Sequence, residues 1–268
     1  GIPAILAGIL TQLALYSNVA RMSINNEDLL FKLFGVNAEF LIDHAWGYEP
    51  CTIEQAKSYK PTSNSISSGQ VLHCPYDYKK TKLIVKEMVD NLVLDLVEKK
   101  LKASQFVLTI GYDIDNLTNP KISKLYNGEI TTDMYGRKIP KHAHGTINID
   151  HKTSSTTIIM NEVLKLYDRI TNPILLVRRI NLVASNVVSE DKVENKPQRQ
   201  QLDLFTNYQE QDELNKKQIE REKEDAKIQK TILDLKRRYG KNAILKGMNL
   251  EEGATAIERN REVGGHKG

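Results

Sequence analysis

Cysteine is scarce in this chain of 268 residues, in which Cys51 and Cys74 are the only two. Two cysteines do not build the disulfide framework of a small secreted domain, and they form no four-ligand zinc site. The scarcity therefore favours an intracellular protein, and we expect a cytoplasmic location.

Long apolar runs are also missing. The first twenty residues are apolar, but no basic segment precedes them and Gln12 interrupts the run. This pattern predicts neither a signal peptide nor a membrane span, so we expect no membrane partner. The chain begins with Gly1 rather than Met, which we interpret as an internal start with sequence upstream of it.

Charge of one sign is not abundant either. The chain has 38 Lys and Arg against 34 Asp and Glu, for a formal net charge of +4. A mild excess of positive charge permits a polyanionic partner without requiring one. With 40% hydrophobic residues, the chain is long enough for one or two domains with a real core.

Hydrophobic periodicity indicates an α+β domain between residues 62 and 190. Its predicted elements alternate as strand, helix, strand, strand, helix and strand: 66–74, 78–101, 106–112, 144–149, 158–170 and 175–184. This βαββαβ order predicts a ferredoxin-like fold, in which an antiparallel four-stranded sheet carries two helices on one face.

Four regions are predicted in all. Residues 1–55 have the pattern of short helices, with Gly35 and Gly47 as stop signals, and residues 56–190 contain the α+β domain. Residues 191–208 are a polar linker, and residues 209–268 are a charged, largely helical or disordered tail. The mixed signs of charge in the tail favour a solvated helix.

The linker contains an apolar peptide whose residues are Gln201, Leu202, Asp203, Leu204 and Phe205. Exposed hydrophobic side chains rimmed by polar ones are typical of interaction sites. A short strand or helix end that packs back on its own domain is the alternative. The polar flank at 190–200 cannot bury enough apolar surface to fold, and it favours a tethered docking peptide.

Two pairs of residues are candidates for chemistry. Asp113 and Asp115 can share one face of an extended segment, but acids at a strand end commonly cap a turn. His142 and His144 can likewise share a strand face, but no third metal ligand of suitable spacing accompanies them. We predict neither a catalytic residue nor a metal site in this chain.

Several segments together resemble a known family. They are Ser65–Gln70, a long amphipathic helix, a strand that ends in Gly111-Tyr112, and Val177–Leu182. In this order they are similar to the little-finger domain of Y-family (UmuC-like) translesion DNA polymerases. Leu33–Gly47 resembles the end of that family's thumb. The segments 239–247 and 258–260 resemble the tail of a Gram-positive branch that is often carried on mobile elements.

The resemblance implies contacts with the backbone of primer-template DNA. The residues expected to make them are Ser65, Ser67, His144, Thr146, Arg178 and Arg179. Adjacent arginines in a regular strand point to opposite faces, so only a bulge or the strand's rim would free both. Lys138, Lys141 and Lys152 can add positive charge. Binding of this kind reads the backbone rather than the bases and weakens with salt.

The resemblance also assigns the linker peptide to a bacterial sliding clamp, with Gln201 in one subsite and the Leu204-Phe205 pair in another. The palm and fingers, whose carboxylates hold Mg²⁺ for phosphoryl transfer, would precede residue 1, so no cofactor is expected in this chain. Leu13–Ser17 matches half of a thumb helix-hairpin-helix, with Ala14 where glycine is expected. We expect a monomer.

Two other functions are compatible with these features. The first is a stand-alone, non-catalytic protein that binds the clamp and DNA. The second is an RNA-binding ferredoxin-like module, which is disfavoured because the central strands lack the aromatic signature of such modules.

Overall fold

The computed structural model describes residues 27–35, 37–48, 51–58, 64–133, 136–192, 208–263 and 266–267. The chain divides into two compact units, the first formed by residues 1–62 with residue 268 and the second by residues 63–267.

The first unit is helical in the part that the structure describes. It contains α1 (Glu27–Phe34), α2 (Asn37–Ala45) and α3 (Ile53–Ser58). Leu30 and Ala38 are fully buried between the first two helices. Gly35 ends α1 with a φ of +58°, a left-handed conformation that favours glycine. The two predicted helices with their glycine stops are confirmed, whereas the predicted hairpin at 13–17 lies outside the described residues.

The second unit is built on an antiparallel sheet. Its four long strands are β1 (Ile66–Tyr76), β2 (Leu101–Tyr112), β5 (Ala143–Thr153) and β6 (Val177–Ser185). They lie in the order β1-β6-β2-β5, and each pair of neighbours is antiparallel. Between β2 and β5 the short strands β3 (Ile130–Thr132) and β4 (Lys138–Pro140) form a hairpin. The short strand β7 (Val188–Ser189) pairs with the start of β2.

Two helices pack on one face of this sheet. They are α4 (Tyr78–Glu98) and α7 (Thr156–Ile170), and their apolar sides share a core with β1, β2 and β6. Met88 and Leu92 of α4 are fully buried there, as is Phe106 of β2. The predicted α+β fold, with its βαββαβ order and both helices on one face, is confirmed.

Short polar residues start both helices. The Asp77 side chain accepts a hydrogen bond from the backbone N–H of Lys80 at 2.8 Å, and the Ser155 side chain accepts one from Ile158 at 3.4 Å. Each of these N-caps satisfies one of the N–H groups that a helix start leaves unpaired.

Two very short helices follow β2, α5 (Asp115–Thr118) and α6 (Pro120–Ser123). Fully buried Asn116 locks this turn to the beginning of β6. Its amide nitrogen donates to the carbonyl groups of Asp113 and Leu176, both at 2.8 Å, and its amide oxygen accepts from the Leu176 N–H at 2.7 Å. These hydrogen bonds hold the end of β2 beside the start of β6.

The tail contains the long helix α8 (Tyr208–Tyr239), which does not stay free in solvent as its charges predict. Glu222 accepts hydrogen bonds from His151 at 2.8 Å and Thr153 at 2.9 Å. Asp225 accepts from the Ser155 hydroxyl at 2.5 Å, close to the start of α7. The polar side chains that suggested a solvated helix are therefore the ones that attach it to the domain.

The segment after α8 folds against α4 around a buried acid. Glu87 is 1% exposed and accepts hydrogen bonds from the Asn249 amide at 2.8 Å, the Thr255 N–H at 2.9 Å and the Ala256 N–H at 3.2 Å. Lys246 pairs with Asp90 one helical turn further along α4. The last described elements are α9 (Ala256–Arg259) and the strands β8 (Glu262–Val263) and β9 (His266–Lys267).

Within the described ranges, no helix is both long enough and apolar enough to cross a membrane.

Gly145 allows α7 to approach β5 closely. A Cβ atom at this position would lie 2.8 Å from both Leu166 Cδ1 and Ile170 Cγ2. We expect Gly145→Ala to lower the free energy of unfolding by about 1–3 kcal/mol, because the added methyl group overpacks the core. Urea denaturation measures this change. Gly69→Ala is the matched control, since its Cβ would meet only Asn181 Oδ1, at 3.6 Å. Equal stability of the two variants would contradict the close approach.

The pairing of His151 with Glu222 predicts a pH dependence. The hydrogen bond to Glu222 raises the pKa of His151. Burial alone would raise the pKa of Glu222, but hydrogen bonds from His151 and Thr153 outweigh it and hold that pKa below its usual range. Because the folded state binds the His151 proton more tightly, the stabilisation is complete below the unfolded pKa of about 6.5. It is lost as the pH rises through the raised value.

We therefore expect His151→Gln to destabilise the protein more at about pH 6 than at about pH 9. Urea denaturation of both proteins at the two pH values measures the difference. The Glu222→Gln protein serves as the control, because His151 has lost its charged partner there. In that background, His151→Gln should destabilise the protein equally at both pH values. A destabilisation that does not change with pH would refute the pairing.

Candidate nucleic-acid interface

The face of the sheet opposite α4 and α7, called the open face below, is lined by side chains that alternate with the core residues. In β6, Ile180, Leu182 and Ala184 are buried, whereas Arg179 and Asn181, which alternate with them, are exposed. The same alternation in β5 turns every second residue outward. These outward residues are His144, Thr146, Asn148, Asp150 and Lys152.

Cross-strand pairing aligns the outward residues in rows. The rows, listed from the start of β6, are Val71–Arg179–Gly111, then Gly69–Asn181–Thr109–His144, then Ser67–Val183–Val107–Thr146. Ser67 and Thr146 thus end one row on the two outer strands, about 14 Å apart at the usual strand spacing. Five of the six predicted contact residues, all except Arg178, lie on the open face or directly beside it.

Arg179 is the exposed cation in the first of these rows. Its neighbour on β2 is Gly111, where a Cβ atom would come within 3.1 Å of the Arg179 Cβ. The glycine leaves space beside the arginine stem, so the guanidinium can reach outward over the strand.

Arg178 differs from its neighbour because a bulge interrupts the strand there. Tyr112 pairs with Val177 and Gly111 with Arg179, so residue 178 is the extra residue on β6. Arg178 is half-exposed, donates to the His73 carbonyl at 3.1 Å and lies 3.8 Å from the Asp113 carboxylate. The bulge keeps Arg178 out of the core and gives it protein partners.

The histidine and hydroxyl residues of the open face are also positioned. The Thr109 hydroxyl and His144 Nδ1 lie 2.9 Å apart and form a hydrogen bond. Ser67 and Thr146 are exposed, and Ser65 is exposed immediately before β1. Hydroxyl groups in such positions can donate to phosphate oxygens.

The lysines that were expected to add charge have different surroundings. Lys152 is exposed on the outer side of β5, and Lys138 is exposed on the β3–β4 hairpin. Lys141 pairs with Glu129 at 2.7 Å, which offsets its charge.

The acids and histidines considered for catalysis or metal binding lie where β2 ends and β5 begins. Asp113 accepts a hydrogen bond from the Asp115 N–H at 2.9 Å, which is the turn-capping arrangement that the sequence predicted. In the ranges that the structure covers, no group of three or more His, Cys, Asp or Glu side chains is arranged to hold a metal ion.

Sequence reasoning missed Thr109 and Asn181, which lie between the predicted contact residues in the second row. The alternation of β2 and β6 could have identified them, since each is an even number of residues from an outward-facing neighbour. The clamp-binding candidates Gln201–Phe205 lie outside the described residues.

These features define the class of the second unit, a split βαβ domain with one helix-covered face and one polar open face. Residues 63–204 match the model of the family described as impB/mucB/samB family C-terminal domain. This range is more than half of the 268 residues, and the chain belongs to that family. The match confirms the resemblance to the little-finger part of Y-family polymerases, while the Gram-positive branch stays a prediction.

A solved structure described as a complex of beta-clamp processivity factor and little finger domain of PolIV is similar to this chain, with a TM-score of 0.30 and 10% identity. The similarity covers 53% of this chain and 99% of that one. No curated protein matches the chain. The family assignment therefore rests on residues 63–204.

Proposed function

We propose that this chain grips primer-template DNA with the open face of its sheet and attaches to a bacterial sliding clamp through residues 201–205. In this role it acts as the C-terminal part of a translesion DNA polymerase, in DNA repair and SOS-type lesion bypass in the cytoplasm. The observation that supports DNA binding is the alignment of Ser67, Thr146, His144 and Arg179 in successive rows across one exposed face.

The chemistry of the open face suits a phosphate backbone better than base edges. Hydroxyl groups, an imidazole and one exposed guanidinium can donate hydrogen bonds to phosphate oxygens on either strand. A sheet face carries no helix to insert into the major groove, where base sequence is read directly. Contacts of this kind tolerate any sequence, and they would also tolerate an altered base.

Attachment to a clamp would supplement this modest grip. One exposed arginine and a few hydroxyl groups neutralise few phosphates. The affinity for DNA is therefore low, and added salt lowers it further. A peptide bound to the clamp would hold the open face near the primer end and raise its effective concentration there. The apolar pattern of Leu202, Leu204 and Phe205 within a polar segment supports this second site.

We expect Arg179→Ala to weaken binding to primer-template DNA about tenfold, the value of one charge-assisted hydrogen bond of about 1.5 kcal/mol. The slope of log K against log salt should fall by about 0.9 when one phosphate contact is lost. Fluorescence anisotropy at several salt concentrations measures both quantities.

Arg178→Ala is the matched control for Arg179→Ala. It removes the same charge, but Arg178 already donates to His73 and lies beside Asp113, so we expect a smaller loss of affinity. If neither arginine affects affinity or salt slope, the open face is not the DNA-binding surface.

For the clamp, we expect the double change Leu204→Ala and Phe205→Ala to abolish co-precipitation of the chain with a purified bacterial sliding clamp. The two side chains supply the apolar anchors of a short docking peptide, and few residues dominate such interfaces. Affinity for DNA should stay as in the unchanged chain, which serves as the folding control. Retention of clamp binding by the double variant would exclude the peptide as the anchor.

A further inference from the structure

A cleft of about 690 Å³ opens at the end of the open face where Arg179 lies. Its floor includes Gly111 and Asn181, and its sides come from β1 and from the β3–β4 hairpin. The volume is within the range of small-molecule sites, about 300–1,000 Å³. Of the residues that line it, the proposed backbone contacts use only Arg179.

Two features of the sequence create the cleft. The missing side chain at Gly111 leaves the centre of the floor empty beside Arg179. The β3–β4 hairpin forms a wall, because Asp133 accepts hydrogen bonds from the N–H and Nε of Arg137 at 2.9 and 2.8 Å and so closes its turn. Ile139 of that hairpin lines the cleft.

The lining combines three kinds of chemistry. Val71, Pro75 and Ile139 offer apolar surface, and Val71 is 66% exposed. The carboxylates of Asp113 and Asp115 can accept hydrogen bonds within the same cleft. Arg178 and Arg179 supply positive charge. A fitting ligand is flat and largely apolar, has N–H groups on its edge and carries an anion.

We infer that the cleft takes up one unpaired nucleotide of DNA that lies across the open face. Its base would lie against Val71 and Ile139, with N–H groups directed at Asp115 and its phosphate near Arg179. Proteins that hold extruded bases combine stacking on apolar side chains with hydrogen bonds to the base edge in this way. Bases with amino groups, namely adenine, cytosine and guanine, would be preferred over thymine.

The inference rests on the proposed DNA-binding function and adds a site to it. Extruding a base from a duplex is least costly where the base is mismatched, damaged or already unpaired. A backbone grip with such a cleft would therefore favour duplexes that contain a displaced base.

The test compares a fully paired duplex with the same duplex carrying one additional, unpaired 2-aminopurine, a fluorescent analogue of adenine, as a single-nucleotide bulge. The complete chain is titrated with each, and anisotropy gives the two affinities. We expect the bulged duplex to bind about tenfold more tightly, the gain from burying part of one base against apolar side chains. We also expect the 2-aminopurine emission to change on binding. A thymine bulge should gain less than the adenine bulge.

Ile139→Trp fills the cleft from the hairpin wall and should abolish the preference while binding to the paired duplex is kept. Ile130→Trp is the control, since Ile130 is exposed on the hairpin but does not belong to the described cleft lining. If the unchanged chain binds both duplexes with equal affinity and the emission stays constant, the cleft is not a nucleotide site. The proposed backbone contacts are unaffected by that result. Failure to bind the paired duplex at all refutes the proposed function itself. An equal loss of affinity for both duplexes in Ile139→Trp also counts against the cleft.

Discussion

The register between β2 and β6 is the constraint on which the rest of the domain depends. These two strands are the central pair of the sheet, so their alternation decides which side chains enter the core and which face outward. A slip by one residue would move Arg179 and Asn181 into the core and expose Ile180 and Leu182. Asn116 opposes such a slip, because its three hydrogen bonds tie the end of β2 to Leu176 at the entry of β6. The candidate interface is therefore a direct product of strand pairing.

Acidic side chains make several of the contacts that attach the tail to this domain. Glu87 is buried with backbone and side-chain donors of the C-terminal segment, and Asp225 accepts from Ser155 and Thr157 at the start of α7. A buried acid without partners would be costly, so the Glu87 carboxylate favours one docked arrangement over many loose ones. The tail is thereby specified in position although it adds little to the apolar core.

Local patterns in the sequence were sufficient for most of the domain. The helix is predicted by the apolar stripe that includes Met88 and Leu92, and the strand by the β-rich run at 106–112. In each element the residues on the buried side recur with the period of that element. The extension of β2 back to Leu101 could not be predicted, since it depends on pairing with the distant β7. Three-residue strands such as β3 and β4 are too short to show a period.

The candidate site was predictable to a similar extent. Alternation alone correctly turns Arg179, Ser67 and Thr146 outward once the strands are known. The bulge at Arg178 could not be foreseen, because it depends on how the ends of β1 and β2 align with β6. The docking of α8 was missed for a related reason: a polar helix face is indistinguishable from a solvated one until its partners are known.

The inward face of α8 changes character along its length. In its middle it meets the domain through Glu222, Asp225 and Gln229, whereas Ile232 and Leu233 follow further along on the same face. Polar contacts exchange readily with water, while apolar contacts resist it. We therefore expect α8 to detach from the domain first at its N-terminal part, while its C-terminal part stays bound. Partial detachment would free the N-terminal part of α8, while its C-terminal part keeps the tail on the domain.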